Sequence, residues 1–301
     1  SDPQLSLQPI SSDQNALIQN YCGRIGGIFG SKISKIDHGE VVRPGQIPWA
    51  AAMEMIDATR ACTASLISSR HALTAAHCVL DMEKCGECSG KGERSEECDR
   101  WPNAEKTSNP SKWTIAYGGH CNTRVGVRTV AWDERYASLC QKFDMAIVEF
   151  EEEIKFDYKF ESVAPICLAD SSFEFKRSYA TFFGFGFVQD GEKVFDRSLY
   201  SQLRYGVAIH TYTRPEGDEM YTLVHIVPFY CPFYMHMYIN ISVIQGDSGG
   251  GVYTTACDGA SVLIGTISRS AAETTQSYAS VLRTHIDEIC NITGVCPKAR
   301  C

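Results

Sequence analysis

Gln245-Gly246-Asp247-Ser248-Gly249-Gly250 sets one hydroxyl inside a run of glycines. Glycine reaches backbone conformations that a side chain forbids, so such a turn can aim the N–H groups of Gly246 and Ser248 at a single point. Two converging N–H donors beside a hydroxyl make an oxyanion hole with its nucleophile. A serine hydroxyl is a weak nucleophile alone and needs a base, plus a group that orients the base. Thr74-Ala75-Ala76-His77-Cys78 offers an imidazole after two small residues, where close packing can leave one side of the ring free. Phe143-Asp144-Met145-Ala146-Ile147-Val148-Glu149-Phe150 puts a carboxylate at the head of an apolar, partly alternating run, the mark of a buried strand. Together they could hydrolyse a peptide or ester bond. Ser248 attacks the carbonyl, His77 takes its proton and passes it to the leaving group, and Asp144 holds the imidazole tautomer. Singly, each has an ordinary role: a surface or core histidine, a strand-end cap, a turn serine. The combination carries the reading.

Positioning three such groups requires a scaffold, and the chain reads as strands. Short apolar runs at Ala50–Met55, Thr114–Tyr117, Ala146–Phe150, Tyr179–Phe183 and Val262–Ile267 are separated by turn residues. That spacing predicts an all-β sandwich or a pair of barrels. Near the end, Val281, Leu282, Ile286 and Ile289 recur at helical spacing, predicting a helix over Ser280–Ile289. Residues 1 to 35 are polar, then glycine-rich, and predict an arm and linker without a core element. Asp81 to Pro110 is rich in Gly, Ser, Glu and Lys and predicts a surface loop. Within it Cys85-Gly86-Glu87-Cys88 has zinc-like spacing, but only Cys98 follows soon after, so disulfides are expected there and no metal or cofactor.

The 301 residues are 44% hydrophobic, enough for a sizeable core. Fourteen cysteines, an even number, predict disulfides and an oxidising, secreted setting. Two sequons, at Asn240 and Asn291, fit that route. A net charge of −8 argues against nucleic acid as a partner. No apolar run is long enough for a transmembrane helix. Ser1-Asp2-Pro3 opens the chain with neither Met nor an apolar leader, which predicts a chain already processed or presented without its signal.

In order and in local motif, His77, Asp144 and Ser248 resemble the trypsin-like (chymotrypsin-fold) serine proteases. Cys62-Thr63-Ala64-Ser65-Leu66-Ile67 with Leu73-Thr74-Ala75-Ala76-His77-Cys78 is similar to the block around that family's catalytic histidine, and Gly184-Phe185-Gly186 to its Gly-aromatic-Gly turn. The resemblance runs from about Ile36 to Ile289. It implies two antiparallel six-stranded Greek-key β-barrels around an active-site cleft, with a short C-terminal helix. The implied layout is a propeptide or light chain over 1–35, a peptidase domain over 36–290 (barrels about 48–156 and 177–281), and a cysteine-containing tail over 291–301. It further implies a Cys62–Cys78 disulfide and a hydrogen bond from Ser268 to the triad aspartate. The implied partners are a protein or peptide substrate, an activating protease and a protein inhibitor. The 67 residues separating His77 from Asp144 exceed the family's usual spacing, which marks the Asp81–Pro110 loop as an insertion.

Relatives in this family are made inactive and are switched on by cleavage before an isoleucine, whose new amine pairs with the aspartate ahead of the nucleophile, here Asp247. Arg24-Ile25-Gly26-Gly27 looks more like the usual motif, but spacing to Pro48-Trp49 favours Lys35-Ile36. Cleavage after Lys35 is expected, although Asp37 and His38 depart from the usual residues. Cys167 matches a family cysteine that tethers the propeptide, implying a Cys22–Cys167 bond.

The specificity pocket departs from trypsin's. The resemblance puts Ser242 at the floor, which implies that no carboxylate awaits Lys or Arg. Ile244 replaces a bracing cysteine, the wall reads Ser268-Arg269-Ser270 beside Gln245, and Gln276 takes the place of a glycine if Tyr278 is aligned. A non-tryptic preference for small or uncharged P1 residues follows. The alternative is a catalytically weak or inert protease-fold binding protein, for which Asp37, Arg269 and Gln276 argue. A lipase-like hydrolase is disfavoured because such enzymes carry serine before histidine in the chain.

Overall fold

The computed structural model describes residues 6–24, 40–55, 61–80, 109–118, 123–132, 143–156, 162–173, 180–186, 203–208, 210–213, 219–223, 246–270 and 276–300. The fold is all-β, as the turn-punctuated runs predict. Its first half contains β2 (Ala50–Met55), β3 (Ala61–Leu66), β4 (His71–Thr74), β5 (Trp113–Tyr117), β6 (Thr123–Trp132) and β7 (Ala146–Phe150), preceded by the short β1 (Glu40–Val41). These six close into a barrel in the order β2-β3-β4-β7-β6-β5. Strand β5 returns to lie beside β2 after three hairpin-linked strands, which is a Greek-key jump. Met53, Leu66, Leu73, Trp113, Ile115 and Phe150 on these strands are buried, as is Trp49 just before β2. Each such large side chain contributes about 1.5–3 kcal/mol by leaving water.

The second half holds β8 (Cys167–Leu168), β9 (Ala180–Gly184), β10 (Arg204–Ala208), β11 (His210–Thr213), β12 (Glu219–Leu223), β13 (Gly251–Thr255), β14 (Ser261–Ser270) and β15 (Gln276–Val281). Six antiparallel strands run β10-β9-β13-β14-β15-β12. Strands β1, β11 and β8 add to them, making a nine-stranded sheet. Thus β1, just past Ile36 in the chain, belongs to the second half and pairs with β10.

One expectation fails and one boundary shifts. The polar N-terminal stretch is no loose arm: helix α1 (Ser12–Tyr21) lies there, with Ile10, Ile18 and Cys22 buried. The serine and glutamine that suggested a linker form a capping box, in which Ser11 and Gln14 each accept the other's backbone N–H. The C-terminal helix also starts later. β15 continues to Val281, a 3₁₀ turn covers Leu282–Thr284, and the helix occupies Ile286–Thr293, crossing position 290 before Gly294 ends it with φ 73°. A Cys290–Cys296 disulfide then staples the tail, where Asn15 of α1 bonds both the N–H and C=O of Cys296.

The N-terminal segment is latched to the first barrel by a buried carboxylate. Glu149 of β7 is fully buried and accepts from Arg128 at 2.8 and 2.6 Å and from the Gln8 N–H at 2.8 Å. Its neighbour His71 is also fully buried. Burial pushes the His71 imidazole down to about 4; the Glu149 carboxylate opposes this, and Arg70 and Arg128 add to it. Unfolded, the ring titrates near 6.5. Below that pH the unfolded chain gains a proton that the folded chain refuses, so stability falls from about pH 6.5 to about pH 4 and this contribution is constant outside that window. The expected loss is about 3 kcal/mol. Urea unfolding at pH 7 and pH 4.5 of wild type and His71→Gln measures it; parallel losses in the two proteins would refute the assignment.

Candidate active site

His77 sits in the one-turn helix α2 (Ala76–Val79), directly after β4. Ala75 and Ala76 are fully buried, and the Cys62–Cys78 disulfide ties the helix back to β3. With its neighbours packed, the imidazole stays 27% exposed, able to meet both the barrel and a substrate. Its sulfur neighbours suggest a metal at first sight, since the donor atoms of Cys62, His77 and Cys78 lie within 4.8 Å of one another. Both sulfurs are consumed in the disulfide, so no thiolate is offered.

Asp144 precedes β7 and is buried. Phe143 before it adopts φ 57°, a left-handed conformation rare for a bulky residue, and its ring packs edge-on against His285. The Asp144 carboxylate accepts from the His77 backbone N–H at 3.0 Å, is bonded to His77 Nδ1 at 2.7 Å, and accepts from Ser268 Oγ at 2.6 Å. Burial alone would push this carboxyl up; the His77 charge and the three hydrogen bonds outweigh it and hold it below its ordinary value. An ionised carboxylate at this place keeps Nδ1 of the ring as donor, which makes Nε2 the nitrogen that carries the basic lone pair. Ser268 reaches Asp144 because the β14–β15 register shifts between Ile267 and Arg269, a bulge that re-aims one side chain.

Ser248 lies in the turn that runs from Gly246 into β13, and is half-buried. Gly246 and Gly249 have φ of 99° and 83°, which glycine alone adopts without strain. A Cβ on Gly249 would overlap Thr74 Oγ1 and the Thr63 carbonyl, so this turn lies directly against the end of β4 that leads to His77. Thr63 bonds the turn twice, from its N–H to the Ser248 carbonyl and from its hydroxyl to the Gly246 carbonyl. Asp247 is buried and accepts from the Gly186 N–H at 2.8 Å. Its carboxylate occupies the space that a Cβ on Gly184 or Gly186 would need, which explains the Gly-Phe-Gly turn.

Of the pocket residues, Ser268 faces Asp144, and the Arg269 guanidinium stacks over the Tyr278 ring at 4.4 Å. Ser270 pairs in register with Ser277, and Gln276 with Leu223. Ser242, Ile244 and Gln245 lie outside the described residues, as do Ile25, Lys35, Ile36, Asp37, His38, Asn240 and the three cysteines of the insertion. Asn291 is exposed on the last turn of the C-terminal helix. The second cysteine pair is in place: Cys22 bonds Cys167, and Gly23 beside it donates to the Pro165 carbonyl and accepts from the Ser261 N–H. Sequence reasoning passed over Thr63, Gln8 and Glu149. An acidic residue at a position predicted to be buried in an apolar strand was the available signal for Glu149.

Comparison with known proteins agrees with this geometry. A family model described as Trypsin matches residues 36–289. Human testisin is 30% identical over 190 residues, covering 62% of this chain and 53% of that protein. Human transmembrane protease serine 11A is 25% identical over 185 residues, 60% of this chain and 37% of that protein. The chain therefore spans about half the length, or less, of these relatives. With the family model covering most of its length and the characteristic strands in place, the chain belongs to the trypsin family of serine proteases.

Proposed function

We propose that this protein is an extracellular serine endopeptidase that cleaves peptide bonds through an acyl-enzyme on Ser248. His77 takes the Ser248 proton as the hydroxyl attacks the carbonyl carbon and then delivers it to the leaving amine. Asp144, bonded to Nδ1, stabilises the imidazolium, and the N–H groups of Gly246 and Ser248 receive the oxyanion. Water repeats the sequence to release the acyl group. The observation carrying this reading is the buried Asp144 bonded at once to His77 and Ser268, on the side of the cleft where the Ser248 turn packs. Exposure of the activated protein to a fluorophosphonate is expected to leave a covalent adduct on Ser248, identified by peptide mass; an unlabelled Ser248 in folded, cleaved protein overturns the proposal.

Activation is read as cleavage after Lys35, with the Ile36 amine pairing to Asp247. Residues 1–35 then form a light chain held by Cys22–Cys167, residues 36–290 the peptidase and 291–301 its tail. The buried Asp247 supports the first step, because a buried carboxylate needs a cationic partner. Disulfides support an oxidising compartment, and a glycan on Asn291 would project to solvent. Among the described residues no helix is long and apolar enough to cross a membrane, while relatives carry the name transmembrane protease.

The P1 preference is read as small or uncharged. Arg269 stacked on Tyr278 supports this reading, since a cation in the pocket wall would disfavour Lys and Arg. A peptide-library profile is expected to lack basic P1 residues; dominance of Lys or Arg there refutes this part. The same stacked pair is the observation for the second reading, an inert protease-fold binding protein, and fluorophosphonate labelling separates the two.

A further inference from the structure

We propose that Thr63 is a positioning residue that holds the Gly246–Ser248 turn in its anion-binding shape, an inference that rests on the protease reading above. Thr63 lies in β3, fully buried, next to Cys62 and so one disulfide away from the helix carrying His77. All of its polar atoms are engaged. Its N–H donates to the Ser248 carbonyl at 2.8 Å, and its own carbonyl accepts from Thr74 Oγ1 at 2.8 Å. Its hydroxyl donates to the Gly246 carbonyl at 2.9 Å and accepts from the Phe185 N–H at 3.0 Å.

The hydroxyl bonds bear on chemistry because of where the Gly246 carbonyl sits. It belongs to the peptide unit between the two units that carry the Gly246 and Ser248 N–H groups. Gly246 at φ 99° has no side chain to resist rotation of this unit. One bond at Gly246 and one at Ser248 hold both ends of the turn, so that the two donors keep their convergence. The Phe185 bond adds the turn that carries Gly186, whose N–H binds Asp247. One side chain from the first barrel thereby couples the anion site, the Asp247 carboxylate and the His77 support. A residue without a hydroxyl would keep the backbone bonds and lose this clamp.

The test is the rate of labelling by a fluorophosphonate, in which Ser248 Oγ bonds to phosphorus, fluoride leaves and His77 takes the hydroxyl proton. That rate depends on the nucleophile and on the N–H groups that meet the phosphoryl oxygen. It is measured on proteolytically activated protein well below each variant's thermal transition, normalised to the fraction that labels. Thr63→Val, which keeps the shape without the hydroxyl, is expected to label about tenfold more slowly. With a peptide substrate it should lower kcat by a similar factor at nearly unchanged KM. Thr63→Ser, which keeps the hydroxyl, is expected to stay within about twofold of wild type. Labelling of Thr63→Val at the wild-type rate overturns the inference, and so does a Thr63→Ser as slow as Thr63→Val. Should Thr63→Val not fold, Thr63→Ala is read by the same criteria. Failure of the wild-type protein to label instead overturns the protease reading, so the two failures are distinguishable.

Discussion

Replacing Ser248 by alanine is expected to lower turnover on the order of a millionfold while leaving the fold intact. The bonds that hold this turn end on main-chain carbonyls: Thr63 N–H to the Ser248 carbonyl, the Thr63 hydroxyl to the Gly246 carbonyl, Gly249 N–H to the Ile267 carbonyl and Gly250 N–H to the Asp247 carbonyl. Alanine keeps all of them. It removes one oxygen from a half-buried site, so the thermal midpoint should move little. The loss is large because the nucleophile and its base act as a unit, and His77 without Ser248 has no oxygen to activate. What remains is the acceleration from the anion site and from binding, about a thousand- to ten-thousandfold over water. Turnover of a peptide ester or amide by the purified variant, beside its melting curve, tests this. Hydrolysis within tenfold of wild type would put the nucleophile elsewhere, and a collapsed melting curve would show that the serine is structural.

Asp144→Asn should cost about ten-thousandfold in turnover. The carboxylate has acceptors only, and it uses them on the His77 backbone N–H, His77 Nδ1 and Ser268 Oγ. An amide of the same size brings two N–H donors. When its nitrogen faces His77, Nδ1 must become the acceptor and the proton moves to Nε2, where the base is needed. The tautomer is then wrong for taking the Ser248 proton, although no atom has moved far. Turnover measured for this variant together with Ser268→Ala discriminates the cause. The latter keeps the carboxylate and removes one of its supports, so its loss should be much smaller. Equal losses in the two variants would mean that packing around Asp144, and not its acceptor character, sets the rate.

Much of the site was legible because its parts are local. The glycines around Ser248, the two alanines before His77 and the apolar run after Asp144 each report a neighbourhood of a few residues, and short-range sterics decide those. The strands at Ala50–Met55 and Ala146–Phe150 emerge within the bounds expected of them for the same reason. Helix α1 was also written locally, in the Ser11–Gln14 capping box, but polar composition concealed it. Its helical face is stabilised by groups 281 residues away, such as the Cys296 backbone beside Asn15 and the Arg300 side chain on the Gln19 carbonyl.

By itself the amino-acid order determined the family of the chain and put forward its candidate nucleophile, base and orienting carboxylate, since these are properties of side chains and their immediate turns. Only the tertiary structure decided how they are held. The bulge that turns Ser268 toward Asp144, the hydroxyl of Thr63 bridging the Gly246 carbonyl and the Phe185 N–H, and the burial of Glu149 beside His71 each join segments remote in the chain. No local pattern encodes such contacts, because a hydrogen bond or a desolvated charge depends on what the closed barrel brings against it.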